Sequence, residues 1–364
     1  MKQIIFLEVF DGEKSVFAFR KCKKTAVDFY IIYSLTKVSW QILKESVTLE
    51  ELRSIFEYIS AKPKIYSHWK IILAVGCACG AFCCLFGGNI YEIICTAFCA
   101  MSGKFFQIKL LQHKVNEYFA ITFAAFISTT CAYFYPPVPS LKPMIACSLF
   151  LVPGVPIINA VVDAINKFFL KSLVEFFRTF CIVLSMTVGI IFSVEFSSRL
   201  RYLYFGDFLL MDTAPDLNIF WLSLAGAICA IGFAIPMNIP KKFLLTVGIL
   251  GASTIFLRNL LCLNVGLNLE SSTFVTAFFI GHLAIVISQR LNLVSSILVV
   301  PPLLPMLPGV IIYRFLFACE KIEEMDVEEL TFIFDKGIDI LQIIFSIVIG
   351  ANLLRLIGQK KFDN

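Results

Sequence analysis

The chain has 364 residues, 59% of them hydrophobic and 16% charged, with a mean hydropathy of +0.85. A soluble domain of this length would carry charge on roughly a quarter of its residues, so the composition excludes one and describes a chain that crosses a membrane many times. The net charge of +5 is small and spread over loops, which gives no basic surface for a nucleic acid.

Residues 1–69 form a polar N-terminal region. Ile4 to Phe10 and Ser15 to Arg20 read as strands around the Asp11-Gly12 turn. The run Ile4-Ile5-Phe6-Leu7 is too short for the apolar core of a secretion signal and meets Glu8 and Asp11 at once, so this region is expected in the cytoplasm. A helix is expected from about Ala26 to Lys44. Thr48 then forms a capping box with Glu51, opening another helix that runs to about Ser60. Lys62-Pro63 ends it, and Tyr66, His68 and Trp69 mark the arrival at the membrane interface.

Two sets of five apolar segments follow. The first covers about 71–86, 90–106, 118–135, 143–163 and 173–195; the second about 217–235, 243–258, 273–288, 294–317 and 338–357. The implied division is a first five-span unit over 70–198, a connecting loop over 199–216 and a second unit over 217–364. Short-loop lysine and arginine set the orientation. Lys104, Lys109, Lys114, Lys167, Lys171, Lys241, Lys242, Arg290, Arg355, Lys360 and Lys361 fall on one side. The other keeps little positive charge, Lys142 and then Arg199 and Arg201 beside Asp207, Asp212 and Asp216, and its last loop is the acidic stretch from Glu320 to Asp339. Both termini are then cytoplasmic. Five is odd, so the second unit enters the membrane upside down relative to the first. The fold expected is an all-α polytopic membrane protein of about ten helices, two inverted five-helix repeats with broken fourth helices, plus a small α+β N-terminal region.

Thirteen cysteines are present, most of them inside apolar segments, where a thiol behaves as a small hydrophobe and lets helices approach. A soft-metal path through Cys77, Cys79, Cys83 and Cys84 is the sharper reading. It lacks a counterpart in the second half, and packing is favoured. No metal or other cofactor is expected.

The most informative residues are two Pro-Gly breaks, Pro153-Gly154 in the first half and Pro308-Gly309 in the second. Each interrupts an apolar segment near its middle. Free backbone groups are tolerated at that depth only inside protein or beside a wet cavity, and paired breaks in two repeats point to a substrate site between them. Beyond Gly154, Asn159, Asp163 and Asn166 recur at i, i+4 and i+7, so they share one helix face within roughly 60°. The amides freed after Gly154 are expected to receive a carboxylate at the helix N-terminus. Asp163 is expected to meet an ammonium or carry a proton, and the bland alternative makes it a mark of the helix end beside Lys167. Arg314 has the offset from Gly309 that Asn159 has from Gly154; it either forks a carboxylate or snorkels to the interface. Arg258, Asn259 and His282 are further polar groups near the membrane, with packing the readier reading for His282. No nucleotide-binding loop, dinucleotide fingerprint, HExxH or GxSxG elbow occurs, which disfavours ATP-driven transport and hydrolase chemistry.

The run Leu151-Val152-Pro153-Gly154-Val155-Pro156-Ile157-Ile158-Asn159-Ala160-Val161-Val162-Asp163 resembles the signature of the threonine/serine exporter (ThrE-like) family. The run from Pro301 to Arg314 is similar to the motif of that family's second unit, and the helix start at Thr48-Leu49-Glu50-Glu51 also looks like it. The resemblance implies two five-span units, here fused, and a secondary exporter of threonine or serine driven by the proton motive force across the inner membrane. A related two-subunit pair exports succinate. Two departures stand out: no amphipathic helix precedes the first strand, and Lys167-Phe168 replaces a Gly-Asp pair. The partners implied are the small-molecule substrate, protons and the lipid bilayer, with homo-oligomerisation left open. A membrane-embedded enzyme using Asp163 and His282, or a scaffold, are the competing readings; the first lacks metal-type Asp clusters and a nucleophile motif, and the second has no need of the two breaks.

Overall fold

The computed structural model describes residues 4–11, 14–21, 28–44, 48–61, 64–134, 141–201, 218–309, 311–312 and 327–358. Strands β1 (Ile4–Asp11) and β2 (Lys14–Lys21) pair antiparallel, Ile4 opposite Lys21 and Asp11 opposite Lys14. Helices α1 (Phe29–Lys44) and α2 (Leu49–Ala61) follow. The Thr48 capping box is formed: Glu51 N–H donates to Thr48 Oγ1 at 3.3 Å and Thr48 N–H to Glu51 Oε2 at 3.0 Å. The Thr48 N–H, and with it the Thr48 hydroxyl donating to Glu51 Oε2 at 3.0 Å, hold the Glu51 carboxyl below its ordinary value.

The first membrane unit comprises α3 (His68–Leu85), α4 (Ile90–Gln112), α5 (Glu117–Tyr133), the interrupted pair α6 (Leu141–Ala146) and α7 (Gly154–Ile165), and α8 (Phe169–Arg201). The second comprises α9 (Ile219–Ala234), α10 (Leu244–Leu263), α11 (Leu269–Arg290), α12 (Ser296–Leu303) and α13 (Val327–Gly358). Asparagine starts four of these helices: Asn89, Asn116, Asn218 and Asn268 each accept a first-turn amide, which satisfies donors that have no partner within the helix.

Helices α3, α4, α8, α10, α11 and the 334–353 part of α13 are long and apolar enough to cross a bilayer, and α6 with α7 makes a further pair bent by 58°. Where they are described, the ten expected segments fall on helices apart from their ends and the interruptions at residues 147–148, 152–153 and 307–308. Three are shorter than the roughly 20 residues a span needs, with α5 at 17, α9 at 16 and α12 at 8. Two boundaries are corrected. Helix α4 continues past residue 106 to Gln112, so Lys109 lies on a helix rather than in a loop. Helix α13 begins at Val327 rather than near 338, which brings part of the acidic stretch into helix.

The two units pack by one scheme. In the first, α4 lies on α3, α5 on α4 and α8 on α5; in the second, α10 lies on α9, α11 on α10 and α13 on α11. The α8–α5 crossing brings Gly189 against Ala125, and the α13–α11 crossing brings Gly350 against Ala277. Small residues here let backbones approach where lipid offers no hydrophobic drive to association. The units meet along α3 and α9, where Gly232 sits against the Ala74 carbonyl. Cys79, Cys83, Cys95, Cys99, Cys147 and Cys229 are buried in these contacts. Phe176, Phe177, Phe180 and Phe192 of α8 face outward as a lipid-compatible surface.

The N-terminal region is tied to the second unit at the turn after α9. Asn238, at φ 60°, donates its side-chain amide to both Asp28 oxygens at 2.9 Å, and its Oδ1 accepts the Ile65 N–H at 3.0 Å. Phe29 N–H donates to the Met237 carbonyl at 3.1 Å, and Tyr66 OH to the Ile239 carbonyl at 2.7 Å.

Candidate functional site

Both breaks are built alike. Before each lies a short 3₁₀ turn, Leu149–Leu151 in the first unit and Leu304–Met306 in the second. Val152 (φ −60°, ψ 122°) and Leu307 (φ −59°, ψ 137°) then leave helical geometry because a residue before proline is driven to extended backbone. Gly154 N–H donates to the Val152 carbonyl at 2.8 Å, and Gly309 N–H donates to the Leu307 carbonyl at 2.8 Å. Pro153, at φ −78° and ψ 60°, is the centre of an inverse γ-turn. Helix resumes at once: Ile157 N–H bonds the Pro153 carbonyl at 3.0 Å, and Ile312 N–H bonds the Pro308 carbonyl at 2.9 Å.

The breaks also touch each other reciprocally. A Cβ on Gly154 would lie 2.6 Å from Leu307 and 2.9 Å from Leu304, and a Cβ on Gly309 would lie 2.6 Å from Leu149. Leu149 and Leu304 each stand five residues before their own glycine, so each glycine receives the same leucine of the other unit. A contact in which i meets j′ and i′ meets j is the mark of a twofold relation. Neither glycine has a positive φ, so it is required for space rather than for a special backbone conformation.

Between the breaks lies a cavity of about 180 Å³. Its walls are Val75 and Phe82 of α3, the first break from Leu149 to Pro156, Phe233, Pro236 and Met237 at the end of α9, and Leu304, Leu307 and Gly309 of the second break. Lys104 of α4 is the one charged side chain among the described residues of this wall. Its Nζ donates to Gln107 Oε1 at 2.8 Å and lies 5.5 Å from the centre of the Phe150 ring.

Of the residues singled out in the sequence, Pro153, Gly154 and Gly309 line the cavity, and Pro308 is buried beside it. Asn159, Asp163 and Asn166 do not line it. Asn159 is exposed, and Asn166 caps the end of α7 half-buried. Asp163 is buried, 8% exposed, with Oδ1 paired to Lys171 Nζ at 2.9 Å, while its Oδ2 has no hydrogen-bond partner among the described residues. Arg314 lies outside the described residues. The expected cradle of amides after Gly154 is corrected. Pro156 has no N–H, Gly154 and Ile157 donate to backbone carbonyls, and only Val155 N–H is left in that turn without a backbone partner among the described residues. Arg258 of α10 has a buried Nε with no described partner, and His282 of α11 is exposed; neither reaches the cavity.

Lys104 is the cavity-lining charge that the sequence reading missed. It lay inside the expected segment 90–106 but was counted with the short-loop charges that set the orientation. The Asn89-to-Glu92 capping box and the lack of a breaker before His113 were the available signals for a longer α4, and Gln107 at i+3 was the signal for a held side chain.

Two family descriptions match the chain. "Putative threonine/serine exporter" covers residues 1–197, and "Threonine/Serine exporter, ThrE" covers residues 222–357. Over 196 residues, 52% of this chain and 75% of the relative, the chain is 22% identical to "Probable succinate transporter subunit YjjP" of Klebsiella aerogenes. It is 24% identical, over the same shares, to the protein of that name in Escherichia coli K12. No solved structure matches. The chain belongs to the threonine/serine exporter family and carries both of its units in one polypeptide.

Proposed function

We propose that this chain is a secondary exporter, driven by the proton motive force, that moves a small carboxylate-bearing metabolite out of the cell. The observation that carries the reading is the pair of breaks, which bury each other's glycine and enclose one cavity between the two units. Interrupted helices meeting at a repeat interface are the arrangement by which many carriers alternate access around a fixed site. The reciprocal contact and the odd number of segments per unit support an inverted relation between the repeats. Both termini lie in the cytoplasm in this reading, in the inner membrane of the cell.

Threonine and serine are the substrates suggested by the family, and succinate is favoured by the names of the two relatives. Asp163 is the proton-coupling candidate. Its second oxygen is buried without a described hydrogen-bond partner, and Lys171 can release the first as the α7–α8 junction moves. Pro153, Gly154, Pro308 and Gly309 shape the cavity, with Asn159, Asn166 and Arg314 as outlying members of the path. The chemistry needed is binding and conformational change, so the protein acts as a carrier rather than an enzyme. The test is uptake of labelled threonine, serine and succinate into inverted membrane vesicles, with and without an imposed proton gradient. Gradient-dependent accumulation of one of them is expected; no accumulation of any would overturn the carrier reading.

A further inference from the structure

We infer that Lys104 is the substrate-recognition residue of the cavity, receiving the carboxylate and setting a preference for substrates of net negative charge. The inference rests on the carrier reading above and deepens it. Lys104 lies eight residues before the end of α4 at Gln112, about 12 Å along the helix axis from the turn that follows. A lysine at that depth either extends toward the interface or finds a partner inside. Here it turns inward. Its Nζ meets the Gln107 amide oxygen at 2.8 Å and the face of Phe150, the residue three before Pro153, at 5.5 Å. Both partners are neutral.

Several other cations on the described membrane helices are held by carboxylates, among them Lys171 by Asp163, Arg178 by Glu117 and Lys336 by Asp339. Lys104 has a dipole and a ring, and the rest of the described wall is apolar or proline and glycine backbone. A charge in such surroundings gains most from an anion, because low local polarity strengthens the attraction. A substrate carboxylate entering the cavity would supply the counter-charge and keep the Gln107 bond as a second support. The ammonium of a zwitterion would share the same about 180 Å³ with the lysine and be repelled by it. The site therefore favours a dicarboxylate or other net anion over threonine or serine.

The test uses the purified full chain in proteoliposomes, with labelled succinate and labelled threonine offered to the wild type, Lys104→Gln and Lys104→Arg. Wild type is expected to prefer succinate. Lys104→Gln should lose at least about tenfold in succinate uptake, the scale of a hydrogen bond to a charged group, with the loss in KM. Its succinate-to-threonine ratio should collapse. Lys104→Arg should retain the preference, which a merely structural lysine has no reason to show. Wild-type preference for threonine, an unchanged ratio in Lys104→Gln, or a lost preference in a well-inserted Lys104→Arg would each overturn the inference while leaving the carrier reading intact. If Lys104→Gln does not insert, Lys104→Arg decides. A wild type that moves neither substrate overturns both readings.

Discussion

The two breaks share a backbone but not a chemistry. Around Pro153-Gly154 and Pro308-Gly309 the same 3₁₀ turn, extended residue, tight N–H-to-carbonyl bond and resumed helix occur at matching offsets. The first unit adds polar groups to that frame, Lys104 at the cavity and the Asp163–Lys171 pair at the end of α7. At the second, α12 is heavily buried, carries Pro301 and Pro302, and holds no ionisable residue. Among the described residues, the matching backbone shapes the cavity and the charged groups beside it come from the first unit.

That division can be broken most directly at the glycines. Gly154→Val and Gly309→Val each force a branched carbon into the leucine of the opposite unit. Each should reduce transport roughly a hundredfold, the scale of about 1 Å of misplacement at a site. Proteoliposome uptake by correctly inserted protein is the measurement. Loss in one variant alone would show that the shape is not shared.

The asymmetry of charge is tested next. Asp163→Asn keeps size but removes the titratable group, so the gradient-driven part of transport should fall about tenfold or more while substrate exchange at equal pH persists. Exchange and gradient-driven flux falling together would assign Asp163 to packing instead.

A gentler change sharpens the reciprocal contact. Gly154→Ala should lower uptake several-fold, and adding Leu304→Ala on the other unit should restore part of it, since residues in contact couple by about 0.5–3 kcal/mol. Independent, additive losses in a double-mutant cycle would place the contact outside the working mechanism.

The turns after the first helix of each unit differ in the same way as the breaks. Gly87, at φ 74°, has its carbonyl held by Lys142 at 2.8 Å, while Asn238, at φ 60°, holds the N-terminal region. Asn238→Gly keeps the left-handed backbone and deletes the side-chain bonds. It should loosen α1 by about 1–3 kcal/mol, visible as faster amide exchange over residues 29–44. Unchanged exchange would mean that the apolar contacts of α1 carry the docking.

The smallest effect lies at Glu51. Its carboxyl is held below the ordinary 4.5 by Thr48 in the folded chain, so the stabilisation it gives α2 is present above 4.5 and is lost as pH falls below it. Amide exchange in residues 49–61 should rise in that window; Thr48→Ala, which keeps the backbone N–H, should weaken the pH dependence, and Glu51→Gln should remove it.

Much of the fold was legible because its signals are local. Hydrophobic length found the helices, the Asp11-Gly12 turn found the hairpin, and Thr48 with Glu51 found the start of α2. The breaks were legible because proline and glycine together leave the backbone little choice. The rest depended on what sits across from what. Periodicity placed Asn159, Asp163 and Asn166 on one face of α7 without saying that Lys171, on the next helix, would take the carboxylate. A charge rule applied to short loops counted Lys104 as exposed, although only the packing of α4 beside the break decides where its ammonium points. The leucine that fills the space above each glycine lies in the other half of the chain, out of reach of any local pattern.

The clasp at Asn238 has a consequence for how the molecule is made. Asp28 and Asn238 are 210 residues apart, so α1 leaves the ribosome long before its seat exists. At about 5–20 residues per second the wait is roughly 10–40 s, during which most of the membrane part is inserted. Throughout it, the α1 side that will meet the α9–α10 turn, with Phe29 and Tyr33, stands uncovered beside the outer Ile31, Leu35 and Trp40. The N-terminal helix is thus a late-closing part on an early-made segment, and a nascent chain stalled before residue 238 should present it to chaperones or to the membrane surface.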